Sequence, residues 1–298
     1  PRSKETISEI KKSYKEFVKL YGHKIFGKTI NLYAISKKNS KLTFKKYLYF
    51  LKKNKLKFKK NRNIQIFSGL IEDSIITPEK NLNIFKLKKK IKEKIFKSKK
   101  IKLFLGNKIK KINLDNYHKV IICCYYNNNT VLRNLGINQR LLIKKRYELV
   151  EKIIIKLPKK FKNKSVVILD GKFLNFDPFE GTNYHLLSVV KPAKLEIVKK
   201  IFPIFKNSKK KLIKNKYVND IKKSNFNKFI NFGTKYVPHL SEAKYVKSFY
   251  TIRCINLSKN NHDRRNDIKQ YNNKIISVMS GKWNTCVSLS NNICKFLY

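Results

Sequence analysis

Two stretches of this sequence put chemically useful residue types at useful spacing. The first is Ser280-Gly281-Lys282-Trp283-Asn284-Thr285, entered from the apolar run Ile275-Ile276-Ser277-Val278-Met279. At such a strand-to-helix turn a glycine can take a positive φ and lets a ligand approach the backbone. Asn284 and Thr285 can cap a helix whose free N–H groups face outward. That chemistry suits the holding of a cofactor, although an ordinary turn has the same outline. The second is Gly22-His23-Lys24-Ile25-Phe26-Gly27-Lys28-Thr29, a formal match to the G-x-x-x-x-G-K-[ST] phosphate loop. A phosphate loop needs a strand before it and a helix after it, so that successive N–H groups wrap the anion. Here the order is reversed, which predicts a helix-capping Gly22 followed by a loop.

The elements around these stretches follow from periodicity. Ile7, Ile10, Tyr14, Phe17, Val18 and Tyr21 recur at helical spacing and predict a helix over about 4–21. A strand follows at Ile30–Ser36, a helix at 43–54 and a basic strand at 55–60, after which Ser68-Gly69 opens a polar connection. Ile84, Leu87, Ile91 and Ile95 predict a helix. Ile101–Phe104, then Ile109 with Ile112, then 115–124 read as successive strands, the last of them buried. From Tyr147 onward short strands dominate: Leu149–Ile155, Ser165–Leu169, Phe173–Phe176 and His185–Val190. They are separated by turn chemistry at Pro158, Asp170-Gly171, Asp177-Pro178 and Glu180-Gly181, as an antiparallel sheet requires. A helical segment near 224–246, with Pro238 in its middle, leads to an alternating strand at Phe249–Cys254.

The Ser-Gly-Lys-Trp-Asn-Thr-Cys run, placed after a strand near the end of the chain, resembles the last flavin-contacting segment of FAD-dependent oxidoreductases of the D-amino-acid oxidase and glycerol-3-phosphate dehydrogenase type. The Asp170–Phe173 and Gly181–His185 stretches look like the corresponding substrate-domain strands. The resemblance implies an α/β fold (an α+β mix): a Rossmann-like FAD-binding domain, first βα unit missing, with an antiparallel-sheet substrate domain. It implies a discontinuous FAD-binding domain at 1–24, 78–142 and 247–298, and a substrate domain at 25–77 and 143–246. It implies FAD as cofactor and hydride transfer to the flavin from a small amine- or hydroxyl-bearing, anionic substrate. The implied cofactor-binding residues are Arg2, Ser3, Ile109, Ser280, Gly281, Lys282, Trp283, Asn284 and Thr285. Asn284, Thr285 and the amides after Gly281 would stabilise negative charge at the flavin's pyrimidine edge.

Arg253 matches the arginine that in this family pairs with the acidic group of the substrate. A guanidinium suits that task because it stays charged and grips a carboxylate or phosphate in two parallel hydrogen bonds. Its structural alternative is an ion pair with Asp263 or Asp267. His185 and Tyr184 are further candidates for the substrate face, His185 also reading as a satisfied strand histidine. The nine glycines include no G-x-G-x-x-G, the fingerprint that holds the dinucleotide pyrophosphate. Pro1-Arg2-Ser3 resembles the family's second flavin-contacting stretch, and the expectation is that the encoded protein continues upstream of it.

Composition supplies the rival reading. A formal net charge of +53 predicts a polyanion-binding protein, so a basic, ribosomal-type RNA binder is the alternative function. Of 71 basic residues only eight are arginine, and the lysines are spread through nearly every segment together with abundant Asn, Ile, Phe and Tyr. That distribution looks like the coding bias of an A/T-rich genome, and it predicts nonspecific rather than specific nucleic-acid binding, since base and phosphate recognition favours the arginine fork. The five cysteines form no C-x-x-C pair, which points away from a disulfide framework or a zinc site and fits a reducing, cytoplasmic compartment. No apolar run approaches the roughly 20 residues of a membrane span.

Overall fold

The fold is given by a computed structural model that describes residues 4–214, 217–257 and 266–297. Its helices are α1 (Lys4–Tyr21), α2 (Phe44–Lys53), α3 (Ile84–Lys97), α4 (Asn128–Asn134), α5 (Asn207–Lys214), α6 (Phe226–Gly233) and α7 (Cys286–Cys294). Its strands are β1 (Ile30–Ser36), β2 (Lys59–Lys60), β3 (Ile71–Thr77), β4 (Val120–Ile122), β5 (Lys145–Lys156), β6 (Lys164–Leu169), β7 (Leu174–Pro178), β8 (His185–Val189), β9 (Lys194–Lys200), β10 (Lys244–Asn256), β11 (Asp267–Gln270) and β12 (Ile275–Met279). The architecture is a mixed α/β one.

The larger sheet runs β10-β5-β8-β7-β6-β1-β3-β2, with β9 continuing beside β5 beyond the end of β8. Its pairs are antiparallel except β1 with β6. Strand β5 organises it. Along one edge it pairs with β10 from Lys145 opposite Asn256 to Lys156 opposite Lys244. Along the other it pairs first with β9 and then with β8. Successive side chains of a strand alternate between faces. Tyr147, Leu149, Ile153 and Ile155 of β5 accordingly point to one face and are buried there. Ile153 and Ile155 meet Phe226 and Phe229 of α6. Tyr147 and Leu149 meet Tyr250, Ile252 and Cys254 of β10 and Met279 of β12. The last contact joins the large sheet to the small one, β11-β12-β4, in which β12 is antiparallel to β11 and parallel to β4.

Helices α2 and α3 start where a side chain can accept an orphan N–H group of the first turn. Thr43 accepts from the Lys46 N–H, and Asn83 from the Lys86 N–H at 3.0 Å. Gly22 ends α1 with φ of 76° and its N–H bonded to the Val18 carbonyl at 2.7 Å, so the capping role expected there is the one observed. The carboxylate of Glu180 sits over Gly27, closer than a Cβ would allow, and accepts from Thr29 Oγ1. The phosphate-loop match thus holds one of the chain's own carboxylates.

Several expected elements differ. The strands expected at Ile101–Phe104 and at Ile109 with Ile112 are irregular chain. No neighbouring strand pairs with them among the described residues, and Leu103, Phe104 and Leu105 are exposed. The strand expected over 115–124 shortens to β4. The segment 224–246 divides into α6 and a 3-10 turn at Pro238–Glu242, because proline closes the helical ladder. Strand β3 forms directly after the Ser68-Gly69 connection. The domain limit drawn between 246 and 247 falls inside β10, one continuous strand.

Candidate functional site

Because β4 and β12 are parallel, with Val120 opposite Ile275 and Ile122 opposite Ser277, their carboxyl ends open on the same side. The residues that leave them, Cys123 and Ser280, line a groove of about 520 Å³ together with Ile121, Val278 and the first residue of α7, Cys286. In open α/β sheets ligands bind outside the carboxyl ends of strands, in largely apolar clefts of this size. The thiols of Cys123 and Cys286 are pushed above their ordinary range by burial. They line the groove as neutral groups.

One side chain holds the turn beneath the groove. Asn266 Oδ1 accepts from the Gly281 N–H at 3.3 Å and from Thr285 Oγ1 at 2.8 Å. Ser280 Oγ donates to the Lys282 carbonyl at 2.7 Å. A 3-10 turn at Trp283–Thr285 separates Gly281 from α7, and Thr285, although it stands at the N-cap, makes no side-chain cap bond. The capping expected of Asn284 and Thr285 is therefore replaced by burial of both side chains and by the tie to Asn266. Trp283 turns toward α1: its ring lies edge-on to Phe17 at 4.8 Å and against Phe26 at 6.0 Å. Of the expected cofactor residues, Ser280 lines the groove, while Gly281, Lys282, Trp283, Asn284 and Thr285 build the turn that carries it. Asn266 had no local signal, since it lies fifteen residues before the glycine it fixes.

A second constellation stands on the large sheet. Arg253 of β10 lies directly opposite Glu148 of β5, and its Nε is 3.1 Å from Glu148 Oε2. Arg146, two residues before Glu148 and so on the same face, puts Nη2 2.7 Å from Oε1, and Lys194 of β9 puts Nζ 3.3 Å from the same oxygen. The Glu148 side chain is fully buried beneath these three cations, whereas the Arg253 side chain is 39% exposed. None of these contacts is aligned as a hydrogen bond. They are ion pairs by distance. Glu148 is the partner observed for Arg253; of the two expected, Asp263 lies outside the described residues and Asp267 pairs with Lys145 at 3.2 Å. That pair also links the start of β5 to the start of β11, next to Asn266. The link between sheet and groove is direct: Tyr125, which lines the groove, bonds through its hydroxyl to both the N–H and the carbonyl of Cys254, next to Arg253. The buried Cys254 thiol, its pKa pushed up to about 11 by desolvation, is an inert core group.

The remaining candidates lie elsewhere. His185 is buried on β8, its Nε2 3.1 Å from the Phe161 carbonyl and its ring 6.0 Å from Phe176. It pairs with Ile155 of β5, seven residues or roughly 23 Å along the strand from Glu148. Tyr184 is at the surface beside it. Ile109 is exposed and lines a second groove, of about 620 Å³, with Ile112, Tyr117 and Val120. Arg2 and Ser3 lie outside the described residues. Among the described residues no group of three or more His, Cys, Asp or Glu side chains could hold a metal ion, and no helix is long and apolar enough to cross a membrane.

No protein-family profile and no curated protein matches the chain. Solved structures do match. L-proline dehydrogenase from P.horikoshii superposes with a TM-score of 0.63 at 13% identity, over 95% of this chain and 75% of its own. L-alpha-glycerophosphate oxidase from Mycoplasma pneumoniae, solved with FAD bound, gives 0.63 at 11% identity over 97% and 79%. Glycine oxidase from Geobacillus kaustophilus gives 0.61 at 11% identity over 95% and 75%. The fold is that of the D-amino-acid-oxidase-type FAD oxidases.

Proposed function

We propose that the protein is an FAD-dependent oxidoreductase whose two constellations are the flavin-ring groove and the substrate anchor. The observation that carries this reading is the exposed Arg253 guanidinium on the sheet face, one residue from the Cys254–Tyr125 bonds that reach the groove at the ends of β4 and β12. The groove suits the ring end of a flavin: its lining is mainly apolar, and Ser280 and the α7 start supply polar groups at one side. The pyrophosphate end has no glycine-rich cradle in this sequence. FAD, when bound, would supply the hydride acceptor. The chain's own residues then have three tasks. Arg253 holds the anionic end of the substrate, Glu148 fixes the Arg253 side chain from beneath, and the Asn266-tied turn keeps Ser280 and the start of α7 in place without reorganisation. The domains are those of the sequence reading, with β10 as the element shared across their limit. His185, buried in the core, is left out of the site.

Riboflavin tests this directly, because it carries the ring without the pyrophosphate. Titration should quench its fluorescence saturably, and Ser280→Phe, which fills the groove, should weaken binding at least about tenfold, as expected for a blocked pocket. Unquenched fluorescence up to millimolar protein would overturn the reading.

A further inference from the structure

Resting on the reading of the groove as the seat of a flavin ring, we infer that Tyr125 is the residue that contacts that ring, a ligand-binding side chain that no motif in the sequence marks. It stands directly after Cys124, in the 3-10 turn Tyr125–Asn127 that follows β4, and it borders the groove. Among the described residues that line the groove it is the only aromatic one; the others carry aliphatic, hydroxyl or thiol side chains. An oxidised isoalloxazine is planar and electron-poor. A phenol is the one group in this lining that offers it a flat, electron-rich face.

The backbone shows how firmly the ring is held. Tyr125 has a φ of 53°, in the left-handed region that glycine or asparagine enters readily and a bulky aromatic residue avoids. Such a conformation persists where the surroundings over-determine it, and functional sites are where it gathers. Here the hydroxyl does so: it donates to the Cys254 carbonyl at 3.2 Å and accepts from the Cys254 N–H at 3.1 Å. Tyr126 meets the same ring edge-on at 6.3 Å. The side chain is thus fixed, yet 38% of the residue stays exposed. A tyrosine that served only to join β4 to β10 would be as stable with its ring covered, so the open ring beside the groove is the feature that a ligand explains.

The test measures riboflavin retained by the chain in equilibrium dialysis and, separately, the emission of the bound fraction. A tyrosine in contact quenches an excited flavin by passing it an electron, which then returns to the phenol with no net chemical change; a phenylalanine ring is too hard to oxidise to do so. Bound riboflavin should therefore be several-fold brighter in Tyr125→Phe than in the wild-type chain, with affinity held within about tenfold because only a neutral hydroxyl is lost. A purely structural role for Tyr125 would move stability and leave that emission unchanged. Riboflavin bound to Tyr126→Phe should stay quenched. Where Tyr125→Phe fails to fold, nitration of the wild-type protein by tetranitromethane, mapped by mass spectrometry, decides: riboflavin should protect Tyr125 several-fold and leave Tyr49, 65% exposed on α2, unprotected. Equal bound emission in wild type and Tyr125→Phe, or equal nitration of Tyr125 with and without riboflavin, overturns the inference and leaves the flavin reading standing. A chain that retains no riboflavin in dialysis overturns both.

Discussion

Glu148 and Glu151 stand three residues apart on β5, hence on opposite faces, and both are fully buried. Their environments give them different work. Glu148 meets three cations at the edge of solvent. Glu151 meets none among the described residues: its carboxylate accepts from Ser224 Oγ at 2.7 Å, Ser248 Oγ at 2.6 Å and the Asn225 N–H at 3.1 Å, tying the entry of α6 to the sheet. Glu151→Gln should cost about 1 kcal/mol, while Glu151→Leu, which removes the acceptor of the Asn225 N–H and leaves the Ser224 and Ser248 hydroxyls only each other, should cost about 3 kcal/mol, measured by urea unfolding. His185 makes a pH prediction. Burial lowers its pKa from the ordinary 6.5, so below that pH the unfolded chain binds a proton that the folded chain refuses. Stability should therefore fall as pH drops below about 6.5, by up to about 1.4 kcal/mol per pH unit from this residue. His185→Gln should flatten that slope in unfolding curves taken between pH 5 and 7.

At the scale of elements, the turn at Gly281 is positioned from two sides. Asn266 holds its backbone, and α1 holds its exit. Ser288 of α7 bonds to Ser13 at 2.7 Å and to Glu16 at 2.6 Å, and Trp283 packs against Phe17. Trp283 is the single tryptophan of the chain, so its emission reports on this junction alone. Trp283→Ala should destabilise the protein by about 1–2 kcal/mol, less than the loss of a core aromatic because the residue is 43% exposed. It should also weaken riboflavin binding, although the ring does not face the groove, because α7 and Ser280 lose their support. Unchanged riboflavin affinity in Trp283→Ala would show that α1 does not brace the site.

Over the whole molecule the net charge of +53 acts against compaction, because like charges are brought together on folding and only screening relieves them. The melting temperature should rise between 50 and 500 mM NaCl, a comparison that scanning calorimetry makes directly. The same charge that repels itself draws nonspecific polyanions, and that binding should weaken steeply with salt.

Elements whose signal is local can be read from the order of the residues. The 3.6-residue repeat of α1, the short apolar strands β1 and β6, the Gly22 cap and the strand before Ser280 were all legible, because each depends on neighbours within a turn or a pleat. The resemblance carried by the Ser280–Thr285 run led to the observed fold. Which side chains meet depends instead on long-range pairing. Arg253 finds Glu148 through the register of β10 on β5, Gly281 finds Asn266 through the pairing of β11 with β12, and His185 is drawn into the core by the pairing of β8. The apolar alternation at 101–112 stays irregular for the same reason. A strand is stabilised by a partner elsewhere in the chain, and no spacing along the sequence specifies that partner.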